Sequence, residues 1–389
     1  MQILFASARP PYPYFLGGAA RAAHMLLVRM AQMPNTFCSA VGSCEYAVSP
    51  WRRPATDDHA ALGIHSIGPE LDAVDCGYSV RLLPDFYTAL ADMVERTRPD
   101  LVWSQLEGAL PVLQIAHRLG VTGLCYVHDA EFDVAEMRKI AALDCHLIAS
   151  SAFLADKVWL ATGRRASVVY PPAELYYDDV GDANGVVTMI NPHPVKGLET
   201  LLGIASQRPG INFLLQESWK LDTDARAALD AHLAALPNVR FAERVSDMRS
   251  VYRQTRILLA PSRWEEGFGM VALEAASCGI PVIASRRGGL PEAVGEGGLL
   301  IDDYMNVDAW LAALDSMLND AARYQAFSVR ARQHAASEKF SPDALANLLA
   351  GIIATSPKQP GWLDRKLFTV KQRVRDWPLL GNLVGTSSH

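Results

Sequence analysis

Short apolar runs recur along the chain, each followed by a stretch in which apolar and polar residues fall at helical spacing. In the first half ILFAS, DLVWSQ, GLCYVH and HLIAS read as buried strands, separated by amphipathic segments such as AARAAHMLLVRMAQ. VVTMI, INFLLQ, NVRFAE, RILLAPS, PVIAS and GGLLI repeat the pattern in the second half. Near-continuous apolar strands alternating with helices predict an α/β protein whose parallel sheets are covered on both faces. Residues 43–79 break the rhythm and are expected to carry loops. The stretch SVVYPPAELYYDDVGDANG, rich in proline, acid and glycine, reads as a linker. A boundary near Pro171 gives a first domain over 1–170, a second over 171–355 and a tail over 356–389.

Composition supports two domains, because 389 residues exceed what one hydrophobic core usually sustains. A net charge of −6 offers no basic field for a nucleic-acid partner. The six cysteines (Cys38, Cys44, Cys76, Cys125, Cys145 and Cys278) show neither a CxxC pair nor a zinc spacing. Reduced thiols in a cytoplasmic protein are therefore expected. The chain enters its first apolar strand at Gln2, so neither a signal peptide nor a transmembrane helix is expected.

The densest chemistry lies in PSRWEEGFGMVALEAASCGIPVIASRRGGLPEAV, which begins at Pro261. Glu266 and Glu274 stand eight positions apart, on either side of the turn Gly267, Phe268, Gly269. That turn opens a predicted helix over 270–278, stopped by Gly279 and Pro281. The preceding strand RILLAPS puts the turn at the carboxyl edge of a parallel sheet, where such sheets bind ligands, and the free N–H groups of the helix start suit an anion. Read locally, Glu266 caps the helix and Glu274 is a solvated helical residue. The order and spacing of the whole stretch resemble the retaining GT-B glycosyltransferases of family four. The resemblance implies two Rossmann-like domains facing each other across a cleft. It also implies that Glu266 contacts hydroxyls of a donor sugar and Glu274 accepts from the nucleotide ribose, with Phe268, Gly269 and Gly289 of the GGLPE loop lining the donor site.

In INPHPVKGLETLL, Lys196 lies between a predicted strand and helix, and the resemblance makes it a contact to the donor pyrophosphate. The family has an arginine five positions earlier, where this chain has Asn191, which can donate hydrogen bonds to a phosphate but carries no charge. Arg263, Arg286 and Arg287 on neighbouring loops are candidates to supply the missing charge. Gly17 and Gly18 of FLGGAAR allow backbone N–H groups close to a phosphate or sugar, or form an ordinary turn. His128 and Asp129 end the strand GLCYV at an edge facing the expected cleft. His128 is a candidate donor contact, and Asp129 leads the acidic run DAEFD as a candidate to orient the acceptor hydroxyl or act as its base. The same run also reads as a solvated helix start.

Aspartates 222 and 224 flank Thr223 in a triplet that mimics a metal-binding motif, but they precede ARAALDAHLAAL, where aspartate caps a helix. No metal and no bound cofactor are expected. In the tail, WLDRKLFTVKQRVRDW places Leu363, Leu367, Val370, Val374 and Trp377 on one helical stripe beside basic residues. That helix over 362–377 would pack on the first domain, join two subunits or lie on an anionic membrane surface. The combined expectation is a metal-independent, retaining transferase that moves a hexose-like unit from a UDP- or GDP-linked donor to a saccharide or lipid-linked acceptor in envelope or exopolysaccharide synthesis. The alternatives are a non-catalytic sugar-binding or scaffold subunit, a nucleotide-sugar epimerase and a phosphorylase.

Overall fold

The computed structural model describes residues 1–15, 17–44, 74–172, 175–178, 181–245, 247–355 and 357. The tail helix expected over 362–377 and most of the irregular segment 43–79 lie outside the described residues. Two sheets organise the chain. The first has eight strands in the order β3-β4-β2-β1-β5-β6-β7-β8. They are β1 (Gln2–Ser7), β2 (Phe37–Ser43), β3 (Val74–Asp75), β4 (Ser79–Leu83), β5 (Leu101–Gln105), β6 (Thr122–Val127), β7 (Cys145–Ala149) and β8 (Ser167–Val168). Only the short β3 runs antiparallel to its neighbour. The second sheet is β11-β10-β9-β12-β13-β14, parallel throughout. Its strands are β9 (Val186–Ile190), β10 (Phe213–Gln216), β11 (Val239–Ala242), β12 (Thr255–Ala260), β13 (Val282–Ser285) and β14 (Gly298–Ile301).

Each sheet grows outward in both directions from its first strand, so strand order reverses between β1 and β5 in one lobe and between β9 and β12 in the other. Loops leaving two such neighbouring strands diverge to opposite faces and open a crevice at their carboxyl ends. The two crevices face each other. This is the GT-B arrangement, and every strand expected from the apolar runs is present. β2 and β4 are additional strands that the apolar pattern did not flag. The strand cores are sealed by residues such as Phe5, Trp103, Leu124 and Tyr126 in the first lobe, and Met189, Phe213, Leu258 and Ile283 in the second, all buried.

The helices used below are α1 (Gly18–Ala31), α2 (Phe86–Thr97), α3 (Ala109–Arg118), α4 (Val134–Ala142), α5 (Ala152–Thr162), α6 (Leu198–Gln207) and α7 (Thr223–Ala234). They continue with α8 (Arg249–Tyr252), α9 (Met270–Ser277), α10 (Leu290–Val294), α11 (Val307–Leu318), α12 (Ala321–Ala335) and α13 (Pro342–Ile353). Residues up to 355 were expected in the second domain, yet α13 lies on the first lobe. Its Leu345, Ala346 and Leu349 are buried in one cluster with Ala23, Leu26, Leu27 and Met30 of α1. The buried residues of α13 all belong to that cluster, so the chain crosses back after α12. Asp222 caps α7 by accepting from Ala225 N–H at 2.7 Å, as its position before a helix predicts. Asp133 of the acidic run caps α4 in the same way, through Glu136 N–H.

Candidate active site

The crevice of the second lobe is built by two loops locked to each other. After β9, Asn191 takes a left-handed backbone (φ 65°) and a single 3₁₀ turn, Pro194–Lys196, leads to Gly197 (φ 87°). A Cβ on Gly197 would overlap the carbonyl of Pro261, so only glycine lets the loop after β9 touch the loop after β12. Arg263 and Trp264 both donate their backbone N–H to Val195 O, at 2.9 and 3.0 Å. This lock brings together the two charges expected at the site. Lys196 Nζ donates to Glu266 Oε1 at 2.7 Å and Oε2 at 2.8 Å, with the side chains only 15% and 18% exposed. Ser262 Oγ donates to the same Oε1 at 2.9 Å, and Lys196 Nζ sits 4.8 Å above the ring of Trp219.

Asn191 has a local task besides any ligand contact. Its Oδ1 accepts from Trp219 N–H at 3.2 Å and its backbone N–H donates to Gln216 O at 2.8 Å, tying the loop after β9 to the one after β10. Asparagine tolerates the left-handed region better than longer side chains do. Of the three arginines considered as substitutes, Arg286 is paired with Asp302 at 2.6 Å and Arg263 with Glu199 at 2.6 Å. Arg287 donates to Arg263 O and lies over the ring of Tyr304. Arg263 and Arg287 each keep a buried Nε without a hydrogen-bond acceptor, whereas Arg286 is spent on the surface.

Glu274 is 6% exposed, and its Oε2 accepts from Tyr252 Oη–H at 2.7 Å. Burial, followed by the charge of Glu274, raises the Tyr252 phenol well above its ordinary range, so it stays a donor. Glu274 is thus a held, buried carboxylate rather than a solvated helical residue. Phe268 turns its ring into the core against Tyr170 and Phe340, which leaves only its backbone at the crevice. Gly269 (φ 106°) starts α9 without a side-chain cap. Gly289 donates its N–H to Glu266 O at 2.8 Å, so the GGLPE loop braces the glutamate from behind.

In the first lobe, α1 starts at Gly17 and Gly18, again with no side-chain cap. A Cβ on Gly18 would lie 3.2 Å from Met270 Sδ, so the open start of α1 meets the open start of α9 across the cleft. Six other helices (α4, α5, α7, α11, α12 and α13) are capped by their own aspartate, serine or asparagine. Two uncapped starts at one point concentrate N–H groups and positive dipole ends there. Gln105, at the end of β5, links this point to the β6 edge. Its Nε2 donates to Ala19 O at 3.0 Å, and its Oε1 lies 3.0 Å from His128 Nε2. With the amide nitrogen engaged, the oxygen must accept; His128 therefore carries its proton on Nε2 and presents Nδ1 as a lone pair. Burial lowers the imidazole to about 3, so it is neutral at physiological pH.

Arg9 after β1 and Glu107 after β5 form an ion pair at the crevice of the first lobe, matching the Lys196–Glu266 pair in the second. Asp129 lies between them. Its side chain opens onto the cleft, but the surrounding walls strip away hydration, and this desolvation is the main reason its carboxyl is raised above the usual range. Arg9 and Lys196 pull it down, while Glu107 and Glu266 push it up. Arg9, Glu107, Gln105, Tyr252 and Trp219 were not singled out from sequence. A charged or amide residue at the end of a strand or just past it, where strand order reverses, is the signal that marks the first three.

Residues 193–334 match the family model described as glycosyl transferases group 1. The D-inositol 3-phosphate glycosyltransferase of Rhodococcus opacus is 30% identical over 238 residues, 54% of this chain and 52% of that protein. The chain thus spans about half the length of such curated relatives. Anabaena Alr3699/HepE, solved in complex with UDP, superposes with a TM-score of 0.71 at 17% identity, over 91% of this chain and 100% of that one. Sucrose-phosphate synthase from Thermosynechococcus elongatus gives 0.69 at 17% identity, over 95% and 100%. At such identity the structural likeness is one of fold. Two facing doubly wound lobes give this chain a GT-B fold, and its similarity to the glycosyl transferases group 1 falls on the lobe that holds Lys196, Glu266 and Glu274.

Proposed function

We propose that the protein transfers a hexose-like unit from a nucleoside diphosphate sugar, held by the second lobe, to a hydroxyl of an acceptor held by the first. The observation that carries this reading is the Lys196–Glu266 pair at the second crevice, brought opposite His128 and Asp129 of the first lobe by Gly267, which packs against the His128 carbonyl. Lys196 and the open starts of α1 and α9 would bind the diphosphate. Arg263 and Arg287 would add donors there. Glu266, released from Lys196 as the phosphates take over its counter-charge, would accept from hydroxyls of the sugar, and Glu274 from those of the ribose. The lone pair on His128 Nδ1 suits a further sugar hydroxyl. Asp129 would orient the acceptor.

Retention then needs no enzyme nucleophile. The acceptor oxygen bonds to the anomeric carbon on the face from which the phosphate oxygen departs, and that phosphate oxygen receives the acceptor's proton. Catalysis would rest on positioning and on positive charge at the leaving group. A UDP-linked donor is the first to try, given the UDP bound by HepE. The name of the curated relatives adds a phosphorylated polyol to the saccharide and lipid-linked acceptors.

Thermal stability against a panel of nucleoside diphosphates and their sugars, with and without divalent metal, tests the reading. A ligand at a hundredfold excess over its Kd should stabilise the fold by about 2.7 kcal/mol. A shift for one base, unchanged by metal, followed by transfer with retained anomeric configuration on nuclear magnetic resonance, is the expected result. No shift with any nucleotide at millimolar concentration would leave the non-catalytic subunit as the better description.

A further inference from the structure

Glu292 belongs to the GGLPE loop of the second lobe, but its carboxylate points away from the donor crevice and into the first lobe. Oε2 accepts from Ala152 N–H at 2.7 Å and Oε1 from Phe153 N–H at 2.9 Å, so the two oxygens together cover the first turn of α5. Tyr170 Oη–H donates to the same Oε2 at 2.9 Å, and its phenol is pushed up to about 12 by burial and then by Glu292. Ser151, the residue that caps α5, accepts from Leu154 N–H at 3.1 Å while donating to Gly267 O at 2.6 Å. Farther along the helix, Lys157 Nζ reaches Glu265 Oε2 at 2.5 Å. The first three N–H groups of α5 are satisfied, two of them by the opposite lobe.

These contacts are interleaved with the donor site residue by residue. Glu265 precedes Glu266, Gly267 precedes the turn that opens α9, and Glu292 lies three residues after Gly289, which braces Glu266. Gly267 also packs against His128, whose carbonyl oxygen a Cβ there would overlap. The loop that shapes the donor crevice is thus the loop that grips the first lobe.

We propose that Glu292 is a positioning residue: by capping α5 across the cleft it holds the lobes closed and sets His128 and Asp129 opposite Lys196 and Glu266. Only its kinetic consequence rests on the proposed transfer; closure itself is measurable without it. Glu292→Ala and Lys157→Glu, with the exchanged pair Lys157→Glu/Glu265→Lys, separate the possibilities. Small-angle scattering should give a larger radius of gyration for both single variants and the parental radius for the exchanged pair. Calorimetry with UDP, or with whichever diphosphate the panel selects, should give a Kd within about threefold of the parent for Glu292→Ala, because the second crevice keeps its ligands. Turnover should fall by tenfold or more in the single variants and recover in the exchanged pair.

An unchanged radius in both single variants overturns the proposal whether or not transfer is ever observed. So does a Glu292→Ala protein that loses nucleotide affinity and turnover in equal measure, since that is the signature of a damaged donor site. Should Glu292→Ala fail to fold, the Lys157 series decides by itself: an exchanged pair no more compact than Lys157→Glu refutes interlobe capping.

Discussion

Replacing Lys196 with methionine isolates what the central ion pair does. The substitution strips Glu266 of both Nζ contacts, at 2.7 and 2.8 Å, and leaves it one hydrogen bond, from Ser262 at 2.9 Å. Orphaning one charge of a fully buried pair costs about 3–5 kcal/mol. Here the side chains retain 15% and 18% exposure, which admits some water, so roughly 2 kcal/mol is expected. Across a cooperative unit of 389 residues, at about 2.1 cal/mol/K of unfolding entropy per residue, that lowers Tm by about 2–3 °C. The proposed reaction loses a charge at the leaving group, worth roughly 3 kcal/mol or about a hundredfold in kcat. The double variant Lys196→Met/Glu266→Gln separates the two effects. With neither charge left alone, stability should return to within about 1 kcal/mol of the parent, since uncharged replacements of a buried pair are often neutral. Turnover should stay lost. Thermal denaturation followed by circular dichroism, and single-turnover transfer from the donor identified above, measure both. A double variant no more stable than Lys196→Met, or a single variant within threefold of parental turnover, would refute the reasoning.

Three further outcomes follow from the same geometry. His128 is depressed from 6.5 to about 3, so the unfolded chain takes up the proton first; its contribution is fully present above pH 6.5 and is lost as pH falls toward 3, at up to about 1.4 kcal/mol per pH unit. Tm measured from pH 7 to 4.5 should therefore fall less steeply in His128→Asn than in the parent, and equal slopes would contradict the assignment. Asn191→Arg, which introduces the arginine expected from the resemblance, should lower stability by about 1–2 kcal/mol, because the left-handed backbone disfavours the longer side chain and Trp219 N–H loses its acceptor; tighter nucleotide binding by this variant without loss of Tm would show that the position waits for an arginine. Tyr252→Phe removes a buried donor to a carboxylate, a loss of about 1.5–3 kcal/mol, and should weaken nucleoside diphosphate binding in calorimetry more than it weakens binding of inorganic pyrophosphate.

What could be read from the chain was what neighbours in sequence decide. The apolar runs of β9 to β14 are bounded by turns and rich in branched residues, so the second lobe emerged strand by strand. Glu266, Gly269 and Glu274 share one loop and one helix, which makes their spacing a direct record of their geometry. β2 escaped because FCSAVGS is built of small and weakly apolar residues, and β4 because SVRLL is short and exposes alternate side chains. The supporting partners are of another kind. Arg9 and Glu107 are 98 positions apart, Gln105 and His128 23, and Glu292 and Ala152 140. No local periodicity records such pairs; the fold makes them, by bringing strand ends to a common edge.

The return of α13 to α1 has a mechanical consequence. Because the polypeptide passes from lobe to lobe twice, once after β8 and again between α12 and α13, the lobes are joined by two tethers instead of one. A single tether would leave the second body free to twist and swing in any direction. Two anchoring points define an axis, and the easiest remaining motion is rotation about it, so the cleft should open like a door on two hinges. The same connectivity means that an excised second lobe ending at residue 355 would carry α13 with its apolar face uncovered, while a first lobe cut at residue 170 would expose Leu26, Leu27 and Met30. Neither fragment is an autonomous folding unit with a polar surface, and the cooperative unit for unfolding is expected to be the whole two-lobed body.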